Sequence, residues 1–355
     1  MTPAEQAVAT VRRSSREVRE DARRRWDAVI PGEGVGPWIE RFPVAGRITL
    51  NFHPDRIVSS SLRSKDPITV AAGLAADGLY RSQWTTGISN GGRSAVKGGE
   101  REQWERDLFA GAYDGTDLAT VERPIYGALD LLRDPHGGSP RFGSSFVVLR
   151  SEAGARATMC VGDSHLGPTD LSTVDEPAAI LAGLAEQAAG GYLLGRSLGT
   201  DALLAALDQD LASDRPARDL DHYVEVQIHG GVDLRNDVAA IVVDPSFAAT
   251  EVDSALSTAA ARYGFELVWH SGSELAVVDI PGDFRGPTMP ALGRRVALAV
   301  AHGVVDAYSI GRATHSLELG PPQPGGDPPD SEIQQLKYLW HTVLAFGSDI
   351  VPRTS

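Results

Sequence analysis

A single cysteine, Cys160 in "ARATMCVG", stands among 355 residues. No intramolecular disulfide and no cluster of thiolate metal ligands can form from it, which fits a reducing compartment. Lysine is almost as scarce, since of 33 basic residues only Lys65, Lys97 and Lys337 are not arginine. That bias reads as base composition of the gene, not as phosphate recognition. No run of residues approaches the length of a membrane span, and the opening "MTPAEQAVATVRRSSREVREDARRRW" lacks the apolar core of a signal peptide. The expectation is a cytoplasmic protein with no membrane partner. Neither G-x-G-x-x-G nor a Walker pattern occurs, so neither a Rossmann turn nor a P-loop is indicated.

What is present is the balance of an ordinary folded chain, with 42% apolar and 23% charged residues, and a net charge of −14 that disfavours a broad nucleic-acid surface. "TPAE" is a capping box, with Thr2 as N-cap, Pro3 at the first helical position and Glu5 reaching back. Val8, Val11, Val18, Ala22, Trp26 and Val29 then recur on one helical face, predicting a single amphipathic helix that ends at "PGEGVGP". From residue 44 onward short β-like runs follow: "GRITLNF", "GLYRSQW", "RFGSSFVVLR", "RATMCVG", "YVEVQIHG" and "VAAIVV".

A helical stretch interrupts these runs between Glu176 and Ala212, breaking at Gly190-Gly191 and restarting after Thr200. "TEVDSALSTAAARYG" predicts a helix, and "FELVWHS" with "ELAVVDI" predicts a strand pair closed by "SGS". "ALGRRVALAVAHG" is again helical, and Ser331 with Gln334 opens a last helix after a Pro/Gly-rich loop at 320–331. Strands and helices do not alternate one for one, so the class is α+β and not a doubly wound parallel sheet. The expected division is an N-terminal helix at 1–36, a core at 37–250 and a C-terminal α/β extension at 251–355.

Chemistry concentrates in three places. On a strand through "HYVEVQIHG", Tyr223, Glu225, Gln227 and His229 share one face and Val224, Val226 and Ile228 the other. That polar face suits either solvent or a site built around a carboxylate. In "ITLNFHP" the side chains of Thr49, Asn51 and His53 share a face, and Pro54 bends the chain just where His53 emerges. In "YRSQWTTGISNGG", the glycines Gly87, Gly91 and Gly92 allow close backbone approach while Arg81, Ser82, Thr85, Thr86, Ser89 and Asn90 offer donors and acceptors. A polar, phosphate-bearing small molecule suits such a loop; a glycine-rich surface hairpin is the plain alternative. "GISNG" also matches the nucleophile elbow G-x-S-x-G, but the glycines after Ser89 disfavour the helix that motif must feed. Among His53, Asp163, His165, His222, Glu225 and His229 none has zincin spacing, and no metal is expected.

An early strand ending in His53, a helix and strand through "VAAGLAADGLYRSQWTTGIS", and a late strand bearing Glu225 together resemble the ADP-ribosyltransferase superfamily. With "RPIYGALDLLR" and "SPRFGSSFVVLR" included, residues 44–247 also look like a bacterial domain of unknown function. The first resemblance implies a core of two small, mainly antiparallel sheets around a cleft for NAD, the substrate. It implies Glu225, His53 and Gln227 as the catalytic set, with Glu225 accepting a hydrogen bond from the nicotinamide ribose. Tyr80, Arg81, Ser82, Thr86, Gly87, Ser89, Asn90 and Tyr126 would then hold the nucleotide, Arg81 near a phosphate. The acceptor of ADP-ribose is left open among protein, nucleic acid, a small molecule and water. Two other readings stand beside this one: a non-catalytic nucleotide-binding or protein-interaction module, and a hydrolase using Ser89 or a metal-bound water.

Overall fold

The alternating run "ITLNF" forms β1 (Ile48–Phe52), which pairs antiparallel on both flanks, with β2 (Ile125–Leu129) and with β3 (Ser145–Leu149). The computed structural model describes residues 1–58, 67–88, 95–117, 121–210, 217–300, 303–319 and 329–350. Beyond these three strands lie β4 (Ala157–Val161), β5 (Leu171–Thr173), β6 (Val224–Ile228), β7 (Val238–Val243) and β8 (Glu266–Trp269). The eight form one sheet in the order β8-β7-β3-β1-β2-β6-β4-β5. All neighbours are antiparallel except β7 and β8.

Two small sheets are therefore not what the chain builds. Because β1 is bonded on both edges, the strands that would form separate sheets are joined into one, and among the described residues three two-stranded ribbons stand apart from it. One ribbon pairs Leu79–Tyr80 with Val232–Asp233, bringing "GLYRSQW" against the chain that leaves β6. The strand pair expected between "FELVWHS" and "ELAVVDI" does not form either: β8 joins β7 in parallel, and Leu275–Ala276 pairs instead with Val304–Val305. A right-sized helix separates β7 from β8, which is what a parallel connection requires.

The helices are α1 (Pro3–Glu17), α2 (Arg19–Val29), α3 (Gly36–Ala45), α4 (Val70–Asp77), α5 (Glu100–Leu108), α6 (Ala178–Ala189), α7 (Thr200–Leu207), α8 (Glu251–Tyr263), α9 (Met289–Ala299), α10 (Ala307–Leu319) and α11 (Pro329–Phe346). The Thr2 capping box forms as read from the sequence. The single N-terminal helix does not, because it breaks at Val18. Just before the break, the hydroxyls of Ser14 and Ser15 donate back to the carbonyls of Thr10 and Val11, a bonding pattern that bends helices.

Most arginines of α1 and α2 are spent on ion pairs within the protein. Arg12 meets Asp175 at 2.8 Å, Arg16 and Arg19 both meet Glu176, and Arg25 meets Asp170 and Glu186. Helix α6, nearly all Ala, Ile and Leu, is buried, and Ile180, Leu181 and Leu184 share one hydrophobic core with Val224, Val226, Ile228 and Met159. The even-numbered side chains of β6 thus belong to the core, and the odd-numbered ones are left for the opposite face. No helix among the described residues is long and apolar enough to cross a membrane.

Candidate active site

The face of the sheet that carries Glu225 opens into a cavity of about 370 Å³. Its floor is β1, β2 and β6, and its walls come from α4, the turn after Tyr80, α5, the chain at 139–142 and 163–165, and α11. Glu225, His53, Tyr80, Arg81, Ser82, Thr86 and Tyr126 all line it, although they are spread over 172 positions of sequence between His53 and Glu225. Gly87 does not line it; with φ +69° it closes the single turn Gln83–Thr86 from outside. Ser89 and Asn90, with Gly91 and Gly92, lie outside the described residues, and with them the serine of "GISNG".

β6 is buried along its whole length, so its polar face does not meet bulk solvent. Glu225, opposite Ala128 on β2 and Cys160 on β4, is only 6% exposed. Burial pushes its carboxyl up to about 7, with the neighbouring Asp163 carboxylate acting in the same direction, against hydrogen bonds from Ser164 and Gln227. For Asp163 burial also pushes up, but hydrogen bonds and the charge of His165, together with Tyr223, hold its carboxyl below the usual range. His165 Nδ1 lies 2.6 Å from Asp163 Oδ1, and Tyr223 Oη donates to Asp163 Oδ2 at 3.2 Å. Two carboxyl groups of one cavity are thereby driven apart, one ionised and one poised near neutrality.

Gln227 is fully buried and does not reach the cavity, but it touches the glutamate: its Nε2 donates to Glu225 Oε1 at 2.8 Å. Of the two polar atoms of the amide only the nitrogen can donate, so the amide oxygen faces the other way, where it accepts from Thr158 Oγ1 at 2.7 Å. Thr158 in turn lies 2.9 Å from His229 Nε2, and His229 Nδ1 lies 2.8 Å from Tyr113 Oη. With the Thr158 proton already given to Gln227, His229 donates from Nε2 and accepts from Tyr113. The chain Tyr113, His229, Thr158, Gln227, Glu225 therefore donates in one direction, toward the carboxylate. Burial drives the His229 imidazolium down to about 3, so the ring stays neutral.

His53 follows β1 and stands edge-on to Trp340 at 5.9 Å. Burial, with Arg56 and Lys337 nearby, lowers its titration to about 3, leaving a neutral ring with one donor and one acceptor. Tyr80 packs edge-to-face on Phe52 at 5.7 Å. Arg81, which the resemblance puts near a phosphate, lines the cavity and is held by Asp77, from Nε at 3.1 Å and Nη2 at 2.7 Å. Its charge is neutralised within the protein. Ser82 gives its backbone N–H to Glu122 at 2.8 Å, while its buried hydroxyl has no partner. Tyr126 Oη donates to Glu105 at 3.0 Å and receives Trp104 Nε1 at 3.3 Å.

Several cavity residues carry no sequence signal strong enough to select them. Asp163, Ser164 and His165 stand in a "GDSH" that matches no metal motif; only its place directly after a strand marks it. Arg101, Trp104, Arg141 and Lys337 come from segments without alternation. Among the described residues no group of three His, Cys, Asp or Glu is placed to hold a metal ion.

The fold and cavity define an α+β protein with a buried, near-neutral carboxyl at the floor of a ligand-sized cleft. The chain belongs to the family described as "Protein of unknown function (DUF3626)", whose model matches residues 47–346. No curated protein matches it.

Proposed function

We propose that the protein cleaves the nicotinamide–ribose bond of NAD or a closely related nucleotide and passes the ADP-ribosyl group to an acceptor or to water. The observation that carries this reading is the meeting of Glu225 and His53 in one cavity, with a one-way chain of donors fixing the carboxylate. The resemblance of the same residues to the ADP-ribosyltransferase superfamily supports it independently of that geometry.

Cleavage of the C–N bond sends its electron pair out with nicotinamide and leaves positive charge on the ribosyl carbon. A fixed carboxylate that accepts a hydrogen bond from a ribose hydroxyl stabilises that charge only as it develops, which is the condition for lowering the barrier. Attack of the acceptor hydroxyl on the same carbon then forms the new bond, and its proton passes to a carboxylate of the Glu225–Asp163 pair. Neutral His53 offers a donor and an acceptor to a carboxamide, and the cavity's aromatic walls at Tyr80, Trp104 and Phe142 offer flat surfaces to heterocycles.

Nicotinamide release from NAD by the purified protein tests this. Glu225→Gln keeps a hydrogen-bond acceptor for Gln227 and is expected to fold, yet to lose about a hundredfold or more of the rate. Turnover undiminished in that variant rejects the assignment.

A further inference from the structure

Arg101 is a buried cation with no ion-pair partner among the described residues. It is 6% exposed and lines the cavity, and its guanidinium lies 4.7 Å from the ring centroids of both Trp104 and Tyr126. Its Nε, like that of Arg123, is buried with no hydrogen-bond partner; what sets Arg101 apart is that among the described residues no carboxylate forms an ion pair with it.

The neighbouring Arg123 shows what a structural arginine looks like in the same surroundings. It is 4% exposed and also stacks on two rings, Trp84 at 4.6 Å and Tyr113 at 5.3 Å. Arg123, however, meets Glu105 at 3.1 Å and Glu102 at 3.4 Å. Glu105 is the carboxylate one helical turn from Arg101, and its oxygens are taken by Arg123, by Trp84 Nε1 at 3.1 Å and by Tyr126 Oη at 3.0 Å. It lowers the electrostatic cost of Arg101 from a distance but leaves the fork of N–H groups unfilled.

Stacking satisfies the faces of a guanidinium, not its edge, and a buried charged donor without an acceptor is costly. An edge left open toward a cavity is therefore shaped for an oxyanion that arrives with a ligand. Planar guanidinium geometry matches two oxygens of one phosphoryl group. The hydroxyl of Ser82, buried and unpartnered on the same cavity, is a second open donor.

We propose that Arg101 is the phosphoryl-binding subsite of the cavity, in place of the internally paired Arg81. The Tyr126 ring that Arg101 stacks on belongs to the strand paired with that of Glu225, and all three side chains line the same cavity. This assignment of a nucleotide phosphate rests on the proposed NAD reading, but the anion site itself does not.

Calorimetric titration of wild type, Arg101→Met and Arg101→Lys with NAD, nicotinamide riboside and inorganic pyrophosphate tests it. Methionine removes a buried charge that has no ion-pair partner and is expected to leave the thermal melt intact. Its affinity for NAD and for pyrophosphate is expected to fall by about tenfold or more, the loss expected for a charged hydrogen-bond pair, with riboside affinity unchanged. Lysine keeps the charge without the fork and is expected to fall between, so it carries the test if the methionine variant misfolds. Equal weakening of NAD and riboside, unchanged NAD binding, or a wild type that binds neither NAD nor pyrophosphate overturns the subsite. A wild type that binds pyrophosphate through Arg101 but releases no nicotinamide keeps the subsite and rejects the proposed activity.

Discussion

Glu225 is set by its surroundings to change charge near pH 7, and this fixes the direction of two pH effects. Its carboxyl titrates at about 7 in the fold against an ordinary 4.5, so the native state holds a proton there that the unfolded chain has released. The stabilisation from this group is complete below pH 4.5 and is lost as pH rises to about 7. Catalysis runs the other way, because only the ionised form stabilises a developing cation. Nicotinamide release is expected to climb through pH 7 and level off above it, and a profile flat from pH 5 to 8 would contradict a role for the carboxylate. The pairing of Glu225 with Gln227 and the emergence of His53 were legible from period-2 alternation alone. Asp163 was not, since what matters about it is a through-space charge that no spacing encodes.

Among the elements, the turn Pro140–Phe142 with Gly143 shows how closely the site is built. A β-carbon on Gly143 would stand 2.2 Å from the backbone nitrogen and carbonyl carbon of Phe52, the residue before His53. Backbone cannot rotate aside as a side chain can. Gly143→Ala is expected to displace the end of β1 and to cost about 3 kcal/mol or more, read as a fall in the thermal melting point. Strands β1 and β6 were legible from alternation and β3, β4 and β7 as short β-like runs; β2 was not, because in "IYGAL" Gly127 stands where a β-carbon would lie 2.4 Å from the Thr49 carbonyl. Helix α5, "EREQWERDL", gave no amphipathic signal because it buries Arg101 and Glu105 on the inward face that apolar residues usually occupy. The charges that hid the helix are the ones that give the cavity its character.

At the scale of the whole molecule, residues far along the chain complete a site begun near its start. Helix α11 supplies Lys337 to the cavity, its ammonium lying 5.1 Å from the Phe142 ring. One turn on, fully buried Trp340 packs against His53 and donates Nε1 to the Pro140 carbonyl at 2.9 Å. Trp340→Ala is expected to cost about 3–5 kcal/mol in urea unfolding and to weaken NAD binding as well, because the same ring buttresses the imidazole. Undiminished NAD affinity in a folded Trp340→Ala variant would separate α11 from the site.

The seam of antiparallel bonds running β1-β2-β6 has a mechanical consequence. Glu225, Tyr126 and the strand leading to His53 ride on one continuous plank, which cannot splay without breaking its own ladder. Any opening that admits a guest molecule therefore falls to the helices and turns of the walls, and the groups on the plank keep their spacing.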